Sequence, residues 1–308
     1  MLDVKNLSNA ILANEISLKR ASNREFAKYL AIYRENIWFR DTWEKRIGIV
    51  DDSDHYFWLI QRNSCVGGVV LEETSFMSLF TIPPFNDEYI LLEKIVKFLI
   101  GNSAKNEVIN AYGILPSQAE HLLKLGFNPQ KSRRCMIRPT EIFDDIQWED
   151  NLKIVRPNNQ YITDISKLFF ENYDSLGFDG VNTLAEQFES VTRYFRDNSN
   201  EKLLNDASSI ILDSNNDVIA ACLISSWEGV PLVYDLAVSS VYRRSGLATK
   251  MLKHSLSTLK EKYDFVRLFV YSGNPAESVY YKLGFFSGTK TTNFCFSMDR
   301  KGVLSNST

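Results

Sequence analysis

Arg243, Arg244, Ser245, Gly246, Leu247 and Ala248 stand in the pattern R-x-x-G-x-A, with Thr249 and Lys250 following. A short glycine-containing turn that opens a helix presents unpaired backbone N–H groups and the positive end of the helix dipole. Arg243, Arg244 and Lys250 add side-chain charge. This is how a chain holds a pyrophosphate, so it points to a nucleotide-type cofactor. The same residues also suit an ordinary strand-to-helix turn with solvated arginines, and the short pattern does not choose between the two.

The flanking elements narrow the choice. Residues 232–238 (L-V-Y-D-L-A-V) form a run rich in β-branched and aromatic residues, which predicts a buried strand. Residues 247–262 predict an amphipathic helix, with Leu247, Met251, Leu252, Leu256 and Leu259 on one face. Residues 265–270 predict a second strand. A helix then follows, with Pro275 in its first turn and Gly284 at its end, before Phe285 opens another strand.

Strand, R-x-x-G-x-A, helix, strand and N-P-A-E-x-x-Y-x-x-x-G-F together resemble the GNAT superfamily of acyl-CoA-dependent N-acyltransferases, over residues 154–298. The resemblance implies that Arg243 to Ala248, with Thr249 just inside the helix, bind the pyrophosphate of coenzyme A. It implies that Leu236, Ala237 and Val238 pair their backbone with the pantetheine arm, that Asn274 contacts the cofactor, and that Tyr280 protonates the leaving thiolate. From Asn274 to Gly284 the spacing is one residue shorter than the commonest family pattern. Counting from Asn274 selects Tyr281, whereas the Y-x-x-x-G-F spacing selects Tyr280, which we prefer because it fixes the helix face.

Acyl transfer to nitrogen needs a neutral amine, a polarised thioester carbonyl and a proton for the departing sulfur. One N–H of residues 236–238 is a candidate oxyanion donor. Asp235, on the same strand and on the opposite face from Leu236, is the first candidate base. A structural Asp held by backbone donors is an equal reading. Glu228 is the second candidate, and a water chain as base makes neither essential. Phe169, Phe170, Tyr173, Phe178 and Phe188 are aromatic candidates for the substrate cleft, most of them better read as core. Asp174 and Asp179 are candidate amine-attracting acids, better read as solvated.

The first half reads as a worn copy of the second. Residues 119–127 (A-E-H-L-L-K-L-G-F) echo 276–285 with one residue fewer. A predicted hairpin at 56–61 and 65–72 matches one at 208–212 and 218–225, and the strand at 76–82 matches 232–238. Where the second copy has R-R-S-G-L-A, the first has Pro83, Pro84, Phe85, Asn86, Asp87 and Glu88. The prolines remove donors, no glycine is present, and the two acids repel a diphosphate. Leu122 stands where Tyr280 stands. The expected fold is therefore α/β, with two tandem GNAT-like domains, each a mixed, mostly antiparallel sheet flanked by helices. The expected domains are 1–145, degenerate and without the coenzyme A motif, and 152–302, catalytic. The acid-rich stretch at 139–151 is the expected boundary. The first half is expected to shape the substrate cleft or the domain interface.

A length of 308 residues suits two domains, and 44% apolar residues suffice for packed cores. A net charge of −3 argues against bulk nucleic-acid or anionic-membrane binding. Cys65, Cys135, Cys222 and Cys295 have neither metal-ligand nor disulfide spacing, and His55, His121 and His254 are far apart, so no metal is expected. His254 reads as a surface or packing residue. Neither a signal peptide nor a membrane span is visible, and a cytoplasmic protein is the expectation. The expected partners are acetyl-CoA and a primary amine, most simply a small molecule. Two other classes stay open: a non-catalytic acyl-CoA-binding regulatory module, and aminoacyl transfer from a tRNA. An intact Tyr280 weighs against the first, and the intact R-x-x-G-x-A without a basic surplus weighs against the second.

Overall fold

The computed structural model describes residues 2–13, 15–50, 53–104, 107–174 and 183–297, without the side chains of Ala13, Tyr173 and Asp174. Phe178, Asp179 and residues 298–308 lie outside them. In chain order the elements are β1 (Asn9–Ala13), β2 (Ile16–Arg20), α1 (Asn23–Tyr33), α2 (Trp43–Ile47), β3 (Tyr56–Gln61), β4 (Ser64–Leu71), β5 (Ser75–Thr81), α3 (Glu88–Asn102), β6 (Val108–Ile114), α4 (Pro116–Lys124) and β7 (Asn128–Pro139). There follow β8 (Lys153–Val155), α5 (Ile162–Asp174), α6 (Leu184–Asn198), α7 (Lys202–Ala207), β9 (Ser209–Leu212), β10 (Val218–Trp227), β11 (Val230–Val238), α8 (Leu247–Leu259), β12 (Phe265–Tyr271), α9 (Glu277–Lys282), β13 (Phe286–Ser287) and β14 (Thr291–Ser297).

Two compact units emerge. One holds Met1–Arg133 with Thr289–Thr308, and the other holds Arg134–Gly288. In the first, the strand order is β1-β2-β3-β4-β5-β6-β14, then the first half of β7. Only β5 and β6 are parallel. Leu91, Leu92, Ile95 and Leu99 of α3 and Leu122 of α4 pack on one sheet face, and Phe26 and Leu30 of α1 pack on the other. In the second unit the order is the second half of β7, then β12-β11-β10-β9-β8, with β13 on β7. Here α7, α8 and α9 cover one face, and α5 and α6 the other. Each unit is thus the expected mixed, mostly antiparallel sheet between helices. Each layer exists because a half-apolar helix must bury its stripe.

The division differs from the expected 1–145 and 152–302 for two reasons. The C-terminal strand β14 completes the first unit. Its Phe294 and Cys295 register with Ala111 and Asn110 of β6 and with Pro129 and Asn128 of β7. The acid-rich stretch expected as a linker instead packs within the second unit. Thr140 N–H bonds the Asp264 carbonyl (2.8 Å), Phe143 N–H bonds Ser257 Oγ (2.9 Å), and Trp148 and Leu152 join the core.

Local signals account for most element ends. Arg62 and Asn63, both at positive φ, make the β3–β4 turn. The helix expected from Pro275 begins only at Glu277, because residues 275–276 form a turn that Asn274 organises. The N-terminal hairpin β1–β2 was not foreseen from the sequence.

Candidate active site

β11 bonds β10 along its length but meets β12 only at Leu232–Arg267 and Val233–Leu268. Both strands run on, to Val238 and Tyr271, so residues 234–238 keep one backbone edge open. A bulge causes the departure. Asp235 registers with Leu223 and Val233 with Ile224, leaving Tyr234 as the extra residue, and such an insertion bends and twists a strand. Ser239 N–H bonds the Ile219 carbonyl (2.8 Å), so by alternation the amides of Leu236 and Val238 face the open edge. The Leu236 amide is already engaged by Asp235 Oδ1 (2.9 Å), which leaves Val238 as the oxyanion donor to consider.

The chain then makes a 3₁₀ turn at Ser240–Tyr242 and enters α8. Arg244 and Gly246 hold positive φ (66° and 87°), and Gly246 is the N-cap, with no side chain of the described residues bonding the first helical amides. Lys250 is the first of these amides to find a carbonyl, that of Gly246 (3.0 Å). The amides of Leu247, Ala248 and Thr249 are therefore left at the helix mouth, where the dipole favours an anion. Leu247 is buried and anchors the turn, while Arg243, Arg244 and Ser245 are exposed. A Cβ on Gly246 would meet nothing within 4 Å, so the space above the amides is open. These residues fit a phosphate group.

Two of the expected cations are committed elsewhere. Arg243 donates to Asn172 Oδ1 of α5 and more weakly to the Val238 carbonyl (3.5 Å), bracing the turn against the strand end. Lys250 pairs with Glu149 (2.6 Å), a partner that residue spacing does not reveal. Ser245 Oγ donates to the Tyr242 carbonyl (2.6 Å).

Of the two tyrosines on α9, Tyr280 turns inward and is buried among the residues under α8, with its ring 5.8 Å from Phe285. Tyr281 is 47% exposed, and its hydroxyl donates to Ser287 Oγ (3.0 Å) and accepts from Arg134 (3.1 Å). Burial, then Cys222 and Asp235, push the Tyr280 phenol well above its ordinary range, so it carries a proton at neutral pH. Burial pushes the Asp235 carboxyl up to about 8, against the Leu236 amide bond that favours the charged form. Cys222, opposite Leu236, is likewise driven up by burial to about 12 and is no nucleophile. Asn274 uses its Oδ1 to accept from Ala276 N–H (2.9 Å), so its oxygen organises the turn before α9.

Glu228 sits apart from this group. Its carboxylate pairs with Arg267 (3.5 Å), which is 1% exposed, donates to the Trp227 carbonyl (2.7 Å) and lies over the Trp227 ring (4.5 Å). That is a structural ion pair, buried on its arginine side and half-buried on its carboxylate side. Among the aromatic candidates Phe169 is wholly core, Phe170 is half-buried and Phe188 is 45% exposed. His254 bonds the Asp206 carbonyl (3.0 Å), a packing role.

The first unit repeats the frame and fills it. β5 and β6 pair only from Ser75–Asn110 to Met77–Tyr112, and Ser78 at φ 56° marks the bulge. Arg34 enters the split and donates to the Leu79 carbonyl on β5 and the Gly113 carbonyl on β6 (2.7 Å). Asp87 caps α3 by accepting from Ile90 N–H (3.0 Å), so a carboxylate of the chain sits at that helix mouth. Leu122 is fully buried where the second unit has Tyr280.

Residues 170–285 match the model of the acetyltransferase (GNAT) family. No curated protein sequence matches the chain. Among solved structures it is similar to a GCN5-related N-acetyltransferase from Sphaerobacter thermophilus (TM-score 0.63, 11% identity, covering 94% of this chain and 97% of that one). It is also similar to a tandem GNAT protein from the clavulanic acid biosynthesis pathway (TM-score 0.55, 11% identity, 92% and 99% covered). A third likeness is to a glucosamine N-acetyltransferase region of a fungal multi-domain beta-N-acetylglucosaminidase (TM-score 0.57, 12% identity, 94% and 39% covered). At these identities the likeness is one of fold.

Proposed function

We propose that this chain transfers an acetyl group from acetyl-CoA to a primary amine of a small molecule by direct attack, a reading supported by the match of residues 170–285 to the model of the acetyltransferase (GNAT) family. One observation carries the reading. An uncapped helix mouth, α8, adjoins the open edge of β11, and a buried tyrosine belongs to the same core. The amides of Leu247, Ala248 and Thr249, with exposed Arg244, would hold the pyrophosphate. The open edge of Leu236 to Val238 would take the pantetheine arm, beside the turn set by Asn274.

The acetyl thioester supplies the activated acyl group. Asp235, once ionised, takes the proton of the incoming amine. The Val238 amide faces the negative charge that develops on the carbonyl oxygen. Tyr280 gives its proton to the departing sulfur. In the first unit Arg34 and Asp87 fill the places that the arm and the phosphate would use, so one cofactor site per chain is the expectation.

Calorimetric titration of acetyl-CoA, followed by thiol release with a panel of amines, tests the reading. One site and amine-dependent release support it. Two sites would overturn the assignment of the first unit as inactive. Binding without release would favour an acyl-CoA-binding regulatory module, and no binding would remove coenzyme A from the account.

A further inference from the structure

We propose that the first unit holds a separate binding site for a small organic anion, an oxyanion head (carboxylate or phosphate) on an apolar or aromatic body. A cavity of about 420 Å³ opens beside the split between β5 and β6, lined wholly by residues of this unit. Such a volume lies in the range of small-molecule sites.

Charge is its first distinguishing feature. Arg34, Arg40, Arg46 and Arg133 line it, against one carboxylate among the described residues, that of Glu35. Glu35 Oε1 accepts a hydrogen bond from Thr289. Arg34 bonds the Leu79 and Gly113 carbonyls and, at 3.4 Å, Gln118 Oε1. Arg46 bonds the Ala31 carbonyl. Both guanidinium groups thus rest on uncharged oxygens, with no carboxylate of the described residues within ion-pair distance, although Glu88 and Glu35 act on Arg34 from farther off. A guanidinium drawn out of water without a directly paired carboxylate is costly, and an anion arriving between two of them recovers that cost through short, bidentate hydrogen bonds. Arg34, which burial pushes down to about 10, stays cationic at pH 7.

The walls are the second feature. Leu30, Ile37, Ile49 and Met77 offer aliphatic surface, and Trp38 and Tyr112 offer rings. Backbone opens the space further: Gly113, at φ 61°, would place a Cβ within 4 Å of nothing. A phosphate alone would leave these walls wet, and a hydrocarbon alone would leave Arg34 and Arg46 with uncharged partners only. Only a molecule with both parts suits the cavity.

This site is independent of acetyl transfer, and its test reads binding alone. 3-Phenylpropionate and phenyl phosphate are titrated calorimetrically into the full chain, with 3-phenylpropylamine as the cationic control. We expect at least one of the two anions to bind at one site per chain, at least 10-fold tighter than the amine. Arg46→Gln should weaken that binding at least 10-fold with an unchanged thermal melt. Preference for the first probe identifies a carboxylate ligand, and for the second a phosphate. Should Arg46→Gln fail to fold, Ile49→Trp at the partly exposed rim is expected to block binding by filling space. Equal binding of anion and amine, no binding of either anion, or unaltered affinity in a folded Arg46→Gln would overturn the proposal.

Discussion

Replacing Asp235 by Asn perturbs stability and chemistry in opposite directions, with a pH dependence that can be worked out. In the folded chain the carboxyl titrates near 8, against an ordinary value of 3.8. Between those values the folded state keeps a proton that the unfolded state has released. Stability therefore falls as pH rises from about 4 to about 8, and levels off above. The full slope is about 1.4 kcal/mol per pH unit, or ~4 kcal/mol from pH 5 to pH 8. Asp235 is not wholly shut off from solvent at the open strand edge, so we take about half, ~2 kcal/mol. Asparagine has the same shape as the protonated acid and cannot ionise. The stability difference, variant minus wild type by urea unfolding, should grow by ~2 kcal/mol from pH 5 to pH 8 and stay flat beyond. Turnover should fall roughly 10²-fold and lose its rise through pH 8, with acetyl-CoA affinity unchanged. A stability difference independent of pH would refute the burial argument, and retained turnover would refute the role as base.

Three further outcomes are expected. Gly246→Glu should weaken acetyl-CoA binding at least 100-fold in calorimetry, by placing a carboxylate over the α8 amides, and should cost about 1–2 kcal/mol from backbone strain at φ 87°; retained affinity would refute the phosphate turn. Tyr280→Phe should lower kcat at least 10²-fold with little change in cofactor affinity, whereas Tyr281→Phe, at an exposed hydroxyl, should leave kcat within about 2-fold; the reverse pattern would place the acid on the other side of α9. Ending the chain at Gly288 removes β14 from between β6 and β7 and bares two sheet edges. The first unit should then lose its cooperative melt and its resistance to proteolysis; an intact first unit would refute the pairing.

What was legible in the sequence was local. The apolar run at 232–238, Gly246 before a helical stripe, and Gly284 as a stop each act over a few residues, and the observed β11, α8 and α9 follow them closely. The repeat was legible for the same reason, since both halves carry the same order of strands and stripes. Of the two tyrosines, α9 buries Tyr280 and leaves Tyr281 exposed, as the Y-x-x-x-G-F spacing predicts for the helix face. The commitment of Lys250 to Glu149, a hundred residues away, was not legible, nor was the grip of Arg34 on both arms of the first split. Those partners are distant in the chain, and nothing in their spacing distinguishes a paired charge from a solvated one.

By itself, then, the sequence determined the layers of each unit, the glycine-containing turn before α8 and the absence of such a turn from the matching stretch of the first half. Those features depend on glycine and proline stereochemistry and on apolar periodicity, which any neighbourhood must obey. The tertiary structure decided which unit owns β14, how far β11 and β12 part, and that Asp235 is a raised acid while Glu228 is a salt-bridge partner. Those depend on which sheet edge wins a strand and on how much water burial removes from each carboxylate, and both quantities are set by residues far away in the chain.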